Sequence, residues 1–132
     1  MLTDRTISKY KNAVLGRRFE LSFSTATPAK MKKLNTAYRH ITKATDILSF
    51  PLSKTSGEIV ICMSEVKSHA KAFGMTPEKY LPYLVIHGMI HLKGHDHGRI
   101  MDELEKKFCR RLRITMPEGA LTHHGRTHRS RH

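Results

Sequence analysis

His87-Gly88-Met89-Ile90-His91-Leu92-Lys93-Gly94-His95-Asp96-His97 follows directly on the apolar run Leu81 to Ile86. Histidines four residues apart share one face of a helix, close enough for two imidazoles to meet one tetrahedral ion. Gly94, three residues beyond His91, can take the positive φ that ends a helix and turns the chain back. A third imidazole six residues beyond His91 would then complete the set, and His97 stands there. A lone histidine is most often a core or surface residue. The helix-spaced pair, the placed glycine and the third histidine together point instead to one bound metal ion. His95, between Gly94 and His97, is expected to point away from it. Zn2+ suits three neutral imidazoles best, and Ni2+, copper and iron accept the same donors.

This H-x-x-x-H-x-x-G-x-x-H order is the spacing of metzincin zinc sites, so a metzincin-like metal helix is expected. Three protein ligands leave one coordination position for water, the arrangement of a catalytic rather than a structural zinc. Peptidases with this spacing carry Glu directly after the first histidine as general base. Here that residue is Gly88. Loss of such a base costs a factor of about 10²–10⁴ in rate, whereas zinc still lowers the pKa of bound water to about 7. The spacing therefore predicts hydrolysis without proteolysis. The general base is not identified: Asp96 is a candidate, and equally a residue that orients a ligand from behind.

Working outward, residues 3–16 read as a helix capped by Thr3 or Asp4, with Ile7, Tyr10 and Val14 at helical spacing. Residues 19–23 alternate apolar and polar, the period of a half-buried strand. Thr27 caps a second helix with Pro28 in its first turn, running to about Tyr38 and offering Met31, Leu34 and Tyr38 to the core. Residues 47–50 form a second strand stopped by Pro51. Gly57 opens a third, residues 58–63, whose run Ile59-Val60-Ile61-Cys62 predicts burial on both faces. Ser64 caps a helix carrying Val66, Ala70 and Phe73, closed by Gly74. Thr76-Pro77-Glu78 starts the metal helix, and Pro82 leaves open either a later start or a kink. A last helix, residues 99–114, sets Met101, Leu104, Phe108 and Leu112 on one stripe.

The 132 residues suit one domain, and 24 Lys plus Arg against 11 Asp plus Glu give a formal charge of +13. A field of that sign spread through the chain favours polyanions, nucleic acid above all. Cys62 and Cys109 lack metal or scaffold spacing and read as reduced packing residues. The opening Met1-Leu2-Thr3-Asp4-Arg5 has no apolar signal core, and no run approaches a membrane span. A cytoplasmic protein with no membrane partner is expected. Residues 115–132 hold four His and three Arg with little that is apolar, and read as a flexible basic tail behind a domain of residues 1–114.

The histidine segment resembles the HGxLHLxGyDH signature of the YbeY family of bacterial endoribonucleases. Leu34-Asn35-Thr36-Ala37-Tyr38-Arg39 is similar to the family's LNxxYR. Thr45-Asp46-Ile47-Leu48-Ser49-Phe50-Pro51 resembles its T-[DN]-V-L-S-F-P, and Gly57-Glu58-Ile59-Val60-Ile61-Cys62 its G-D-[IL]-x-I-C. The resemblance covers residues 5–114. It implies an α+β fold, a small mixed sheet of three or four strands packed by about five helices, with the metal on His87, His91 and His97. It further implies a single-strand-specific, metal-dependent endoribonuclease that matures ribosomal RNA at the small-subunit 3′ end and serves ribosome quality control. Its partners would be ribosomal RNA, the small ribosomal subunit and that subunit's proteins. Arg39 matches the arginine the family associates with activity, and a guanidinium is a planar fork for phosphate. From the residues alone Arg39 reads as a solvated cation at a helix end. His95, Ile90 and Glu58 stand where the family usually has Tyr, Leu and Asp, and none of these removes a ligand. Family members usually begin with an extra strand not evident here, which favours three strands.

The leading expectation is a metal-dependent endoribonuclease in which Arg39, with Lys43 and Lys93, holds the RNA strand. The alternatives are a non-catalytic RNA-binding assembly factor with a structural metal, and a zinc peptidase, which Gly88 disfavours.

Overall fold

The computed structural model describes residues 2–40, 42–96 and 98–118. Its elements run α1 (Asp4–Val14), β1 (Glu20–Thr25), α2 (Pro28–Arg39), β2 (Ile47–Ser53), β3 (Ser56–Ile61), α3 (Met63–Ala72), α4 (Pro77–Leu92) and α5 (Arg99–Leu112). The strands form one sheet in the order β1-β3-β2, with β1 parallel and β2 antiparallel to β3. The fold is α+β with a mixed three-stranded sheet and five helices among the described residues. The part of the expected tail beyond residue 118 lies outside them.

β3 is the central strand, and its alternation puts a core on each face. Ile59 and Ile61 join Ile47 of β2 beneath Val85, Ile86, Met89 and Ile90 of α4. Val60 and Cys62 join Leu48 and Met31, which places α2 on the opposite face. Burial on both faces, expected from the unbroken apolar run, follows from this central position. α4 is buried from Tyr80 to Ile90 apart from the half-buried Pro82, as a helix that is apolar nearly all round must be. α1, α3 and α5 wrap it. No helix among the described residues is long and apolar enough to cross a membrane.

Four expectations change. β2 continues through Pro51, which pairs opposite Gly57, and the register shifts before Ser53. β2 is an edge strand, where a missing N–H need leave no neighbour's carbonyl without a bond. α4 starts at Pro77 on the Thr76 cap, whose hydroxyl accepts from the Lys79 N–H at 3.3 Å, and keeps Pro82 inside it. α3 starts at Met63 with Cys62 rather than Ser64 at its N-cap, because the chain passes from β3 into the helix without a loop. Tyr38, expected in the core, is 60% exposed.

The turn from α2 to β2 is set by Asn35, itself buried. Its amide donates to the Lys43 carbonyl at 2.9 Å and to the Thr45 hydroxyl at 3.0 Å, and that hydroxyl donates to the Ile47 carbonyl at 3.1 Å. His40, left-handed at φ 57°, ends α2. The last turn of α2 is thereby tied to the start of the edge strand. Asn35→Ala should cost about 1–3 kcal/mol, because it strands buried polar groups on the loop. Urea unfolding that showed no shift in midpoint would mean that the loop is held some other way.

Candidate metal centre

The last turns of α4 carry His87, buried, and His91, half-buried, with ring centroids 4.8 Å apart and planes nearly perpendicular. Gly94 has φ 106°. Its N–H donates to the His91 carbonyl and the His95 N–H to the Ile90 carbonyl, the paired bonds of a Schellman stop. The expected turn is therefore present, and it sets a carbonyl into the site. His91 Nδ1–H donates to the His95 main-chain oxygen at 2.9 Å. His95 thus contributes its backbone to the arrangement.

His87 Nδ1 is bonded to the Oε2 of Glu105, which projects from α5. Glu105 is fully buried, and its other oxygen accepts from the Tyr83 hydroxyl at 3.0 Å. Burial and then the Glu105 charge push the Tyr83 hydroxyl well above its usual pKa. The same two causes push the Cys109 thiol up to about 12, so it stays protonated and inert. Both imidazoles therefore spend Nδ1–H on an oxygen acceptor, which leaves the lone pair on Nε2. That is the tautomer a metal ligand needs, fixed by acceptors behind the ring. His87 and His91 fit a metal on this ground. His97, the third expected ligand, lies outside the described residues, and among those described no group of three or more His, Cys, Asp or Glu closes a metal site.

Gly88 has a second role that its place after His87 concealed. A Cβ there would lie 2.6 Å from both Ile47 Cδ1 and Ser49 Oγ. α4 crosses the sheet with its backbone against β2, and the direction a peptidase would give its glutamate is filled by the strand.

Arg39 is half-buried at the end of α2 and feels the charge of Asp96 in the loop after α4. Burial lowers its pKa to about 10, and the charge of Asp96 acts in the opposite sense. Asp96 is exposed and is the counter-charge of Arg39. The fold thus gathers His87 with His91, and Arg39 with Asp96. Lys43 is exposed in the α2–β2 loop, where its carbonyl holds Asn35. Lys93 turns the other way and donates to the Val14 carbonyl at 3.2 Å.

A profile of the endoribonuclease YbeY family matches residues 2–113. The chain belongs to the endoribonuclease YbeY family. An endoribonuclease is a hydrolase acting on RNA, so the family is one of enzymes. A protein of Sulfurimonas denitrificans named endoribonuclease YbeY is 36% identical over 97 residues, covering 70% of each chain. Its namesake in Caldanaerobacter subterraneus is 34% identical over 116 residues, covering 70% of this chain and 73% of the relative. That of Finegoldia magna is 34% identical over 99 residues, covering 70% and 63%. A solution structure of a Thermotoga maritima protein superposes with a TM-score of 0.60 at 28% identity, over 82% of this chain and 79% of that one.

Within this YbeY member, Glu105 was missed from the sequence. The available signal was an acid four residues from both Met101 and Cys109, on the apolar stripe of the last helix. Gly88→Ala should cost about 1–3 kcal/mol as Ile47 and Ser49 are displaced. Gly88→Glu, which restores the peptidase pattern, should lower the melting temperature further and hydrolyse no peptide. A Gly88→Glu protein as stable as wild type would show that β2 does not fill that direction.

Proposed function

We propose that this chain is a metal-dependent endoribonuclease of single-stranded RNA, with His87, His91 and His97 holding one transition-metal ion and Arg39 gripping the phosphate to be cut. The observation that supports it most is the pair of Nδ1 bonds, from His87 to a buried carboxylate and from His91 to a carbonyl. Imidazoles oriented in this way are what a metal centre requires. When bound, the ion would supply a Lewis acid and an acidified water. Three imidazole donors favour zinc, with nickel a second candidate.

The chain's own side chains do the rest. Arg39 comes from a separate helix and feels the charge of Asp96 in the loop after α4, so its fork is offered to a phosphate near that loop. Its pKa near 10 keeps it charged at neutral pH. Lys43 and the general excess of positive charge draw the strand in. The family further supports a role in maturing the small-subunit 3′ end and in ribosome quality control, in contact with the small subunit and its proteins.

The test is single-turnover cleavage of single-stranded and duplex RNA by protein purified without a metal-affinity step, with and without chelator. Cleavage of the single strand alone, lost with chelator, is expected. Arg39→Lys keeps the charge but loses the planar fork. It should cleave at least about tenfold more slowly with metal content unchanged, and lowering the salt should not rescue it. Wild-type cleavage by Arg39→Lys would remove Arg39 from the reaction. RNA binding without any turnover would favour the assembly-factor reading.

A further inference from the structure

Tyr38 sits in the last turn of α2, directly before Arg39, and is 60% exposed. Its ring lies on that of Phe50 in β2, with centroids 4.9 Å apart and planes inclined by 17°. One face of the phenol is therefore covered and held flat, and the other faces water. A ring that served only to cover Phe50 would not need to leave so much of its own surface wet. The α2 backbone beneath it is tied to the following loop by the Asn35 bonds to Lys43 and Thr45.

Two neighbours link it to the rim of the metal centre, around the edge strand β2. Phe50 follows Ser49, which packs under Gly88, the neighbour of His87. Arg39 follows Tyr38 and feels the charge of Asp96, the neighbour of His97. The surroundings are rich in cations: α2 carries Lys30, Lys32, Lys33 and Arg39 and no acid, and Lys43 follows it, while Asp96 is the acid that acts on Arg39. An open aromatic ring in a mostly cationic setting fits a nucleic-acid strand, whose bases stack and whose phosphates meet the cations.

We propose that Tyr38, laid on Phe50, is the stacking platform for one unpaired RNA base, that of a nucleotide next to the phosphate gripped by Arg39. This rests on the ribonuclease reading of the site and adds to it a physical origin for single-strand preference. A base within a duplex is already stacked on both faces and cannot reach the ring without being unpaired.

The test is binding of a labelled single-stranded oligoribonucleotide with phosphorothioate linkages, read by anisotropy, for wild type, Tyr38→Phe, Tyr38→Leu and Tyr38→Ala. Stacking on one aromatic predicts a loss of roughly 5- to 100-fold in Kd for Tyr38→Ala and Tyr38→Leu, and a change under about twofold for Tyr38→Phe. Tyr38→Leu still covers Phe50, so it separates stacking from packing. An abasic residue scanned along the strand should weaken wild type at one position, and at that position add nothing to the loss in Tyr38→Ala. Unchanged binding by Tyr38→Leu, or abasic losses that add fully to the Tyr38→Ala loss at every position, would overturn the platform and leave the ring to a protein partner or to the fold. Cleavage in which Tyr38 plays no part strikes the platform alone. The expected binding pattern without any cleavage strikes the ribonuclease reading alone.

Discussion

A carboxylate with no exposed surface has to be met by donors, because an uncompensated buried charge costs several kcal/mol. Glu105 is such a group, and its donors are Tyr83 and His87, one helical turn apart on α4. α5 can therefore dock on α4 in one register only. That register fixes the His87 ring, and with it the tautomer that puts the lone pair on Nε2. It also fixes both ends of the segment between the two helices, where the stop at Gly94 sets the His95 carbonyl behind His91. In the proposed function, stability and chemistry share this one interaction.

The sheet supplies the other half of the site. Gly88 lets α4 press its backbone on β2, so the edge strand passes directly beneath the first histidine. α2, on the far face of the same strand, ends at a left-handed His40 and is tied to the strand's start by Asn35. Arg39 and Tyr38 therefore arrive at the rim by way of β2, without a contact from α2 to α4 being needed. A second buried carboxylate, Asp46, accepts from His69 at 2.7 Å and Tyr80 at 2.9 Å. It anchors the beginning of β2 to α3 and to the first half of α4.

What the sequence made legible was local in origin. Four-residue spacing put His87 and His91 on one face, Gly94 announced its own positive φ, and the run from Ile59 to Cys62 reported a central strand. The resemblance, and not the residues themselves, singled out Arg39. What could not be read depends on which surfaces meet. Glu105 is one acid among eleven until α5 is docked. Gly88 drew notice for the glutamate it lacks, whereas its use is the space it leaves. Tyr38 has the spacing of a core residue, yet helical period counts faces and cannot say where the sheet beneath them ends. Pro51 looked like a strand stop because nothing in its neighbours marks β2 as an edge.

The central claim is that the Glu105 carboxylate holds His87 as a metal ligand. Its most direct test is zinc affinity, by competition with a chromophoric chelator, for wild type, Glu105→Gln and His95→Ala. Glu105→Gln keeps size and polarity but loses the charge, and should weaken zinc by about 10- to 100-fold with helix content unchanged. His95→Ala retains its main-chain oxygen and should bind as wild type does. Zinc affinity unchanged in Glu105→Gln, or wild-type protein that binds no zinc, would contradict the account.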